Sequence, residues 1–186
     1  MFKRLLAYLL ASLVVAGCAS GRTNIKSRAD VDNVAPISRL FILVNMKSKF
    51  FSERAYDGFQ SALRGGLSNC SVNAEVMHTD PLELDPNKRL AEANARFRPD
   101  SMMTIKAAGG SVTTGSGGSS SALIFELKIR ELKSNRLTWD AKSQFSYLTG
   151  NLFTDDRASG ERFATQTITQ LRADGVLGNC PVVSAR

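Results

Sequence analysis

ALIFELKIRELKSNRLTWDAKSQFSY, residues 122–147, contains two runs of alternating apolar and polar side chains separated by a short turn. In the second run the alternation extends from Leu137 to Tyr147, and the apolar residues of the first run are Leu123, Phe125, Leu127 and Ile129. A period of two places successive side chains on opposite faces of a strand. The stretch therefore predicts a β-hairpin turning at Ser134–Asn135, with one face buried and the other in water.

The residues before this hairpin predict alternating strands and helices. The continuous apolar run 40–44 is typical of a strand buried on both faces. Ser52 is suited to cap a helix that Gly65-Gly66 would end. Three more elements follow, namely a strand over 71–78, a helix that starts at Asp85-Pro86 and a strand over 102–108.

Two segments complete the predicted domain, 37–186. Residues 109–121, GGSVTTGSGGSSS, have the composition of a flexible loop, and they lack the Lys-Ser/Thr ending of a phosphate-binding loop. A last helix is expected from Thr154 or Ser159 to Gly175, with Val176 closing a Schellman motif. The order is β-α-β-α-β-β-β-α, which predicts an α/β (α+β) fold with one mixed sheet and helices packed on it.

The N-terminus, MFKRLLAYLLASLVVAGC, carries two cations followed by about a dozen mainly apolar residues, which is typical of a secretory signal. The apolar run is shorter than the ~20 residues that a membrane span needs. Its end, Val15-Ala16-Gly17-Cys18, resembles the lipobox of bacterial lipoproteins. The resemblance implies a signal peptide over 1–17, cleavage between Gly17 and Cys18, and acylation of Cys18 by chains such as palmitate. An ordinary signal peptide with an incidental cysteine, or an uncleaved anchor, is the alternative.

The residues after Cys18 predict where the protein is held. In the lipoprotein sorting rule, Asp at the position of Ala19 retains a protein in the inner membrane, so Ala19 indicates the outer membrane, with the domain facing the periplasm. Residues 18–36 are then the acylated cysteine and a polar, patternless tether. A flexible tether of this length would reach about 20–25 Å.

Cys70 and Cys180 are the two cysteines that remain. Each follows an apparent helix end, a glycine and an asparagine, and two thiols in an oxidising periplasm usually pair. A disulfide between them is expected, with two separate buried thiols as the alternative.

The charge of the chain is modest for its length. The formal charge of +7 falls to +5 when Lys3 and Arg4 leave with the signal peptide. The excess is mixed with acidic residues, which favours solubility and weak attraction to anionic lipid or glycan. Nucleic acid is not an expected partner.

Catalytic and metal-binding patterns are weak in this sequence. The single histidine, His78, could serve as a base for Ser101 or a loop serine, but no G-x-S-x-G elbow is present. A zinc site needs several converging Cys, His or acidic side chains. We therefore expect no catalytic residues, no metal and no cofactor, with a hydrolase as the least favoured function.

The polar face of the hairpin is the candidate docking face, with Arg130 and Lys142 as its test residues. The lipobox, the element order and the final helix together resemble small outer-membrane accessory lipoproteins, such as the curli-secretion lipoprotein and the activators of penicillin-binding proteins. The resemblance implies a non-enzymatic accessory or assembly factor, held by its lipid, that binds another envelope protein or peptidoglycan. A periplasmic binding module for a small ligand or anionic glycan is the alternative.

Overall fold

The computed structural model describes residues 22–30, 36–45, 52–79, 85–115, 118–149, 156–178 and residue 180. They form one six-stranded mixed sheet with three helices packed on it, which confirms the predicted fold class. The strands are β1 (Arg22–Ala29), β2 (Arg39–Asn45), β3 (Asn73–His78), β4 (Ser101–Gly115), β5 (Gly118–Glu131) and β6 (Leu137–Thr149), and the helices are α1 (Glu53–Ser68), α2 (Pro86–Phe97) and α3 (Asp156–Ala173).

The strands lie in the order β1-β6-β5-β4-β2-β3. β2 pairs in parallel with both β3 and β4, whereas the β4–β5, β5–β6 and β6–β1 pairs are antiparallel. The parallel part of the sheet therefore comes from the early strand–helix–strand segment, and the antiparallel part comes from the hairpin region.

β2 has buried side chains on both faces, as its continuous apolar run predicts. Leu40, Ile42 and Val44 belong to the main core, which α1 and α3 cover. Phe41 points to the opposite face, where it joins Met77, Ala93 and Phe97 beneath α2. The helices thus cover both faces at β2 but only one face further along the sheet.

α1 and α3 cross closely because glycines lie at their contact. A Cβ added at Gly160 would lie 1.8 Å from the Ala55 carbonyl oxygen, and one added at Gly58 would lie 2.2 Å from that of Arg157. A methyl group cannot fit at either distance, so the glycines set the separation of the two helices. Below the crossing, the ring of Phe163 lies 5.0–5.1 Å from the rings of Phe59, Phe125 and Phe145.

The predicted tether over 19–36 is wrong for residues 22–29, because these form β1 and pair along β6 from Arg22↔Ser146 to Ala29↔Trp139. Side chains of β1 alternate between half-buried and exposed, with Ile25 and Ala29 packed against the core. β1 has few large apolar residues, so its hydropathy shows little alternation. The element order therefore gains one strand at its N-terminal end.

The predicted loop over 109–121 is also replaced largely by strand. β4 extends to Gly115 and β5 begins at Gly118, and these two residues are paired. Main-chain hydrogen bonds form this hairpin, so glycine, serine and threonine can occupy it without an alternating pattern. The expected hairpin of β5 and β6 is confirmed, and Asn135 adopts a left-handed conformation in its turn with φ 56°.

The helix starts and one helix end are as predicted. The Ser52 side chain accepts a hydrogen bond from the Ala55 amide, and Asp85 accepts one from the Lys88 amide. At the end of α3, Gly175 has φ +73°, and the Val176 amide donates to the Leu171 carbonyl as in a Schellman motif.

The predicted end of α1 at Gly65-Gly66 is wrong, since the helix continues to Ser68. A Cβ at Gly66 would lie 2.2 Å from the Ile168 Cδ1, so this glycine makes room for α3. The chain instead leaves the helix at Ser71, which has φ 60°.

The ends of α1 and α3 lie side by side and are joined by the predicted disulfide between Cys70 and Cys180. Their Cα atoms are 4.6 Å apart, across a sequence separation of 110. The Arg172 Nε donates to the Cys180 Sγ at 3.0 Å. Closing a loop of this length restricts the unfolded chain by about 4–5 kcal/mol in the chain-entropy model.

Candidate functional site

The candidate site is the sheet face opposite α1 and α3, over β4, β5, β6 and β1, which we call the open face. α2 packs on this side of the sheet over β2 and β3. Among the described elements, none packs over the remaining strands. Apart from Arg22 at the start of β1, the charged residues of the open face are Lys26, Arg28, Lys106, Glu126, Lys128, Arg130, Asp140 and Lys142.

Strand register arranges these residues in rows across the sheet. One row runs Lys106, Glu126, Lys142 and Lys26 on β4, β5, β6 and β1. The next row runs Thr104, Lys128, Asp140 and Arg28 in the same order. Side chains opposite each other on one face are about 4.5–5.5 Å apart at Cβ, so each carboxylate lies between cations.

The open face is strongly basic. Apart from Arg22 at the start of β1, it carries six cations and two carboxylates, a net charge of +4, and all six of these cationic residues are exposed. The ion pairs that the structure describes within 4 Å, Glu75–Arg96, Asp30–Arg136 and Glu161–Arg157, lie outside this set. By contrast, α1 and α3 together carry five arginines and four carboxylates, a net charge of +1. Positive charge is therefore concentrated on one side of the sheet.

A hollow of about 400 Å³ lies in the middle of the open face. Its lining includes Lys26, Arg28, Lys128 and Lys142, together with Glu126 and Asp140. Such a surface can hold anionic groups by charge and hydrogen bonds.

The two residues selected from the sequence both lie on the open face, but at different places. Lys142 lines the hollow, whereas Arg130 lies toward the β5–β6 turn, where its guanidinium donates to the Asn135 carbonyl at 2.9 Å. Lys142 lies opposite Glu126 in the strand register, and Glu126 is four residues from Arg130 along β5. About 13 Å therefore separates Lys142 from Arg130 along the strands.

Sequence reasoning missed Lys26, Arg28 and Lys106. The sequence predicts a tether at Lys26 and Arg28 and a strand at Lys106, and neither prediction places these side chains on a particular sheet face. The one available signal was the alternation of longer polar residues in RTNIKSRA, at Arg22, Asn24, Lys26 and Arg28.

Hydrogen bonds to α3 hold β1, and with it Lys26 and Arg28, in the sheet. The Gln170 side chain donates to the Ser27 Oγ at 2.9 Å and to the Asp174 Oδ1 at 2.9 Å. The Trp139 indole donates to the other oxygen of Asp174 at 2.7 Å. One network therefore joins β1, β6 and the end of α3.

The structure does not bring His78 and Ser101 together. His78 aligns with Val44 of β2, whereas Ser101 aligns with Leu40, on the other side of that strand. Four residues along β2 correspond to about 13 Å, which is far beyond the roughly 3 Å that a nucleophile and base require. His78 and Ser101 therefore do not form a nucleophile–base pair.

The His78 ring lies 5.3 Å from the ring of Tyr56, in an edge-on contact. Burial raises the pKa of the Tyr56 hydroxyl above its usual value, and the nearby Arg64 partly opposes this shift. Elsewhere in the described ranges, no three His, Cys, Asp or Glu side chains lie close enough together to hold a metal ion.

Gly17 and Cys18 lie outside the described residues, so cleavage and acylation remain predictions from the sequence. Among the helices that the structure describes, none is both long and apolar enough to span a bilayer.

No family model and no curated protein matches this chain. Among solved structures, the PelC dodecamer of Paraburkholderia phytofirmans matches with a TM-score of 0.51 and 11% identity, over 82% of this chain and 96% of that one. Lipoprotein GNA1162 of Neisseria meningitidis matches with a TM-score of 0.46 and 8% identity, over 73% and 99% of the two chains. Protein XCC0632 of Xanthomonas campestris, described as DUF330, matches with a TM-score of 0.43 and 10% identity, over 72% of this chain and 80% of that one. The PelC likeness shows a shared fold, and identity this low carries no function across.

Proposed function

We propose that this chain is a lipid-anchored, non-enzymatic accessory or assembly factor of the bacterial envelope. In this proposal Cys18 carries the acyl chains, and the folded domain binds another envelope protein or peptidoglycan. The observation that carries the proposal is the open face, because a strongly basic sheet face that no described helix covers is suited to docking.

The sequence around Cys18 supports the anchor. Each acyl methylene buried in a bilayer contributes about 0.8 kcal/mol, so two or three chains hold a protein where one would not. Ala19 favours the outer membrane, with the domain in the periplasm. A domain that is anchored to the membrane meets a partner in the same compartment at a high effective concentration. Weak contacts on the open face are then sufficient for binding.

The charge of the open face favours a partner that presents carboxylates or other anionic groups. Lys26, Arg28, Lys128 and Lys142 form its centre, and the two carboxylates between them favour a partner with a matching arrangement of charge. Acidic protein surfaces and the carboxylates of peptidoglycan stem peptides both have this chemistry.

A binding module for a small anionic glycan is the second candidate, and the hollow of about 400 Å³ on the open face supports it. The two candidate functions differ in the ligand that is needed to observe binding. A soluble glycan fragment would bind in the hollow without any other protein, whereas an assembly factor would be captured on its partner in the intact envelope.

Site-specific crosslinking in native envelopes tests the proposal. A photoreactive residue replaces Gln144, which is exposed on the open face, and in a matched variant it replaces Gln166, which is exposed on α3. We expect a discrete adduct with an envelope protein or peptidoglycan at Gln144 that is several-fold more abundant than any adduct at Gln166.

Charge reversal distinguishes specific docking from collision. Lys26→Glu with Lys142→Glu, introduced into the Gln144 crosslinking variant, should reduce the adduct several-fold. The control, Arg54→Glu with Lys133→Glu, makes the same change in net charge outside the hollow, on α1 and in the β5–β6 turn, and should leave the adduct intact. Equal adducts at Gln144 and Gln166, or equal loss in both charge variants, would contradict docking through the open face.

A further inference from the structure

The position of β1 limits how far the domain can lie from its anchor. Only three residues, 19–21, separate Cys18 from Arg22, the first residue of β1. Four Cα steps span at most about 14 Å, whatever conformation those residues take. The flexible tether expected from the sequence is therefore replaced by a short link to one end of the sheet.

The β4–β5 hairpin projects from that same end. Arg22 pairs with Ser146, which pairs with Ala122, which pairs with Ser111. Beyond the Ser111–Ala122 pair, β4 continues for four residues to Gly115, and β5 begins four residues before Ala122, at Gly118. Four strand residues extend about 13 Å, which matches the reach of the link.

The described strand residues at this end of the sheet carry little charge. Segments 107–125 and 143–149 contain no charged residue, and Arg22 is the one charged residue at the start of β1. The charged rows begin at Lys26, four residues further along β1, or about 13 Å away. Strand ends without carboxylates can approach lipid headgroups without the cost of desolvating negative charge.

We propose that the acylated protein stands upright on the bilayer, with the strand ends of the β4–β5 hairpin and the start of β1 against the lipid headgroups. This inference rests on the proposed anchor at Cys18. The anchor and the hairpin touch the membrane at the same end of the sheet. The open face then stands roughly perpendicular to the bilayer, accessible to a partner from the side.

Lipid-borne quenching at two positions tests the orientation in the full acylated chain. With Cys18 acylated and Cys70 bonded to Cys180, a cysteine introduced by Thr113→Cys or Lys133→Cys is the free thiol for a fluorescent label. Thr113 pairs with Ser120, and Lys133 follows the other end of β5, so about 35–40 Å of strand separates the labels. The probe is a vesicle of phosphatidylethanolamine and phosphatidylglycerol that contains a headgroup-nitroxide lipid.

We expect quenching at position 113 to exceed that at position 133 several-fold. A long glycine–serine insertion between Gly21 and Arg22 should reduce quenching at position 113, because it restores a flexible tether. Equal quenching at both positions would show a domain lying flat, and no quenching at position 113 would show a domain held off the bilayer; either result overturns the upright orientation. A chain that fails to float with the vesicles contradicts the anchor itself, so failure of the two proposals is distinguishable.

Discussion

Gly160 is the residue on which the packing of α1 against α3 depends most directly. The atom that would oppose a Cβ there is the Ala55 carbonyl oxygen, which belongs to the backbone of α1 and cannot rotate away. Gly160→Ala should therefore separate the helices and lower the free energy of unfolding by about 1–3 kcal/mol, the usual range for overpacking. Urea denaturation of the variant and the natural chain measures this difference.

Gly65→Ala is the control for Gly160→Ala, because a Cβ at Gly65 meets nothing within 4 Å. Gly65 lies inside α1, where alanine is favoured over glycine by about 0.5–1 kcal/mol. This variant should be as stable as the natural chain or more stable. A destabilised Gly65→Ala and an unaffected Gly160→Ala would show that the close crossing is absent in solution.

The disulfide of Cys70 and Cys180 makes a second residue-level prediction. Reduction should lower the free energy of unfolding by about 4–5 kcal/mol, because the loop that it opens is long. The double variant Cys70→Ala with Cys180→Ala should show a similar loss and no further response to reductant. A natural chain whose denaturation midpoint is unchanged by reductant would indicate two separate thiols instead.

Among the elements, β1 is the strand that is hardest to predict from the sequence. An edge strand needs only one paired side and a half-buried face, and Ile25 is its one large aliphatic side chain. Short polar segments of this kind have the composition of a linker. By contrast, the β5–β6 hairpin is predictable because large apolar side chains occupy every second position of β5 from Leu123 to Ile129, and Trp139 and Phe145 lie on the same buried face of β6.

The stability of β1 should depend on Gln170. Its side-chain amide bonds both Ser27 and Asp174, and each hydrogen bond contributes about 0.5–1.5 kcal/mol. Gln170→Ala should therefore increase amide hydrogen exchange in β1 several-fold, while β4 and β5 keep their protection. Gln166→Ala, at an exposed position on the same helix, is the control. Unchanged exchange in β1 would show that pairing with β6 alone holds the strand.

Across the whole molecule, the sequence predicted the fold class and part of the candidate site. Arg130 and Lys142 are identifiable from the sequence because they lie on the polar face of a strongly alternating hairpin. Lys26, Arg28 and Lys106 could not be assigned to that face, because strand order and register decide which strands are neighbours. A net charge spread evenly along the chain thus becomes concentrated on one side of the sheet only after folding.

The proposed anchor at Cys18 would set the position of the whole molecule in the envelope. If Cys18 is acylated, the short link to β1 keeps the sheet next to the bilayer, and the open face serves partners within the envelope. Cys18→Ser should abolish acylation and leave the signal peptide uncleaved. Normal acylation of that variant would place the lipid on another residue.

Intact-mass spectrometry of the protein purified from its native membrane tests the lipid anchor most directly. The anchor predicts a chain that begins at Cys18, lacks residues 1–17 and carries the added mass of two or three acyl chains at its N-terminus. A soluble chain with no acyl mass, starting at any other residue, would contradict it.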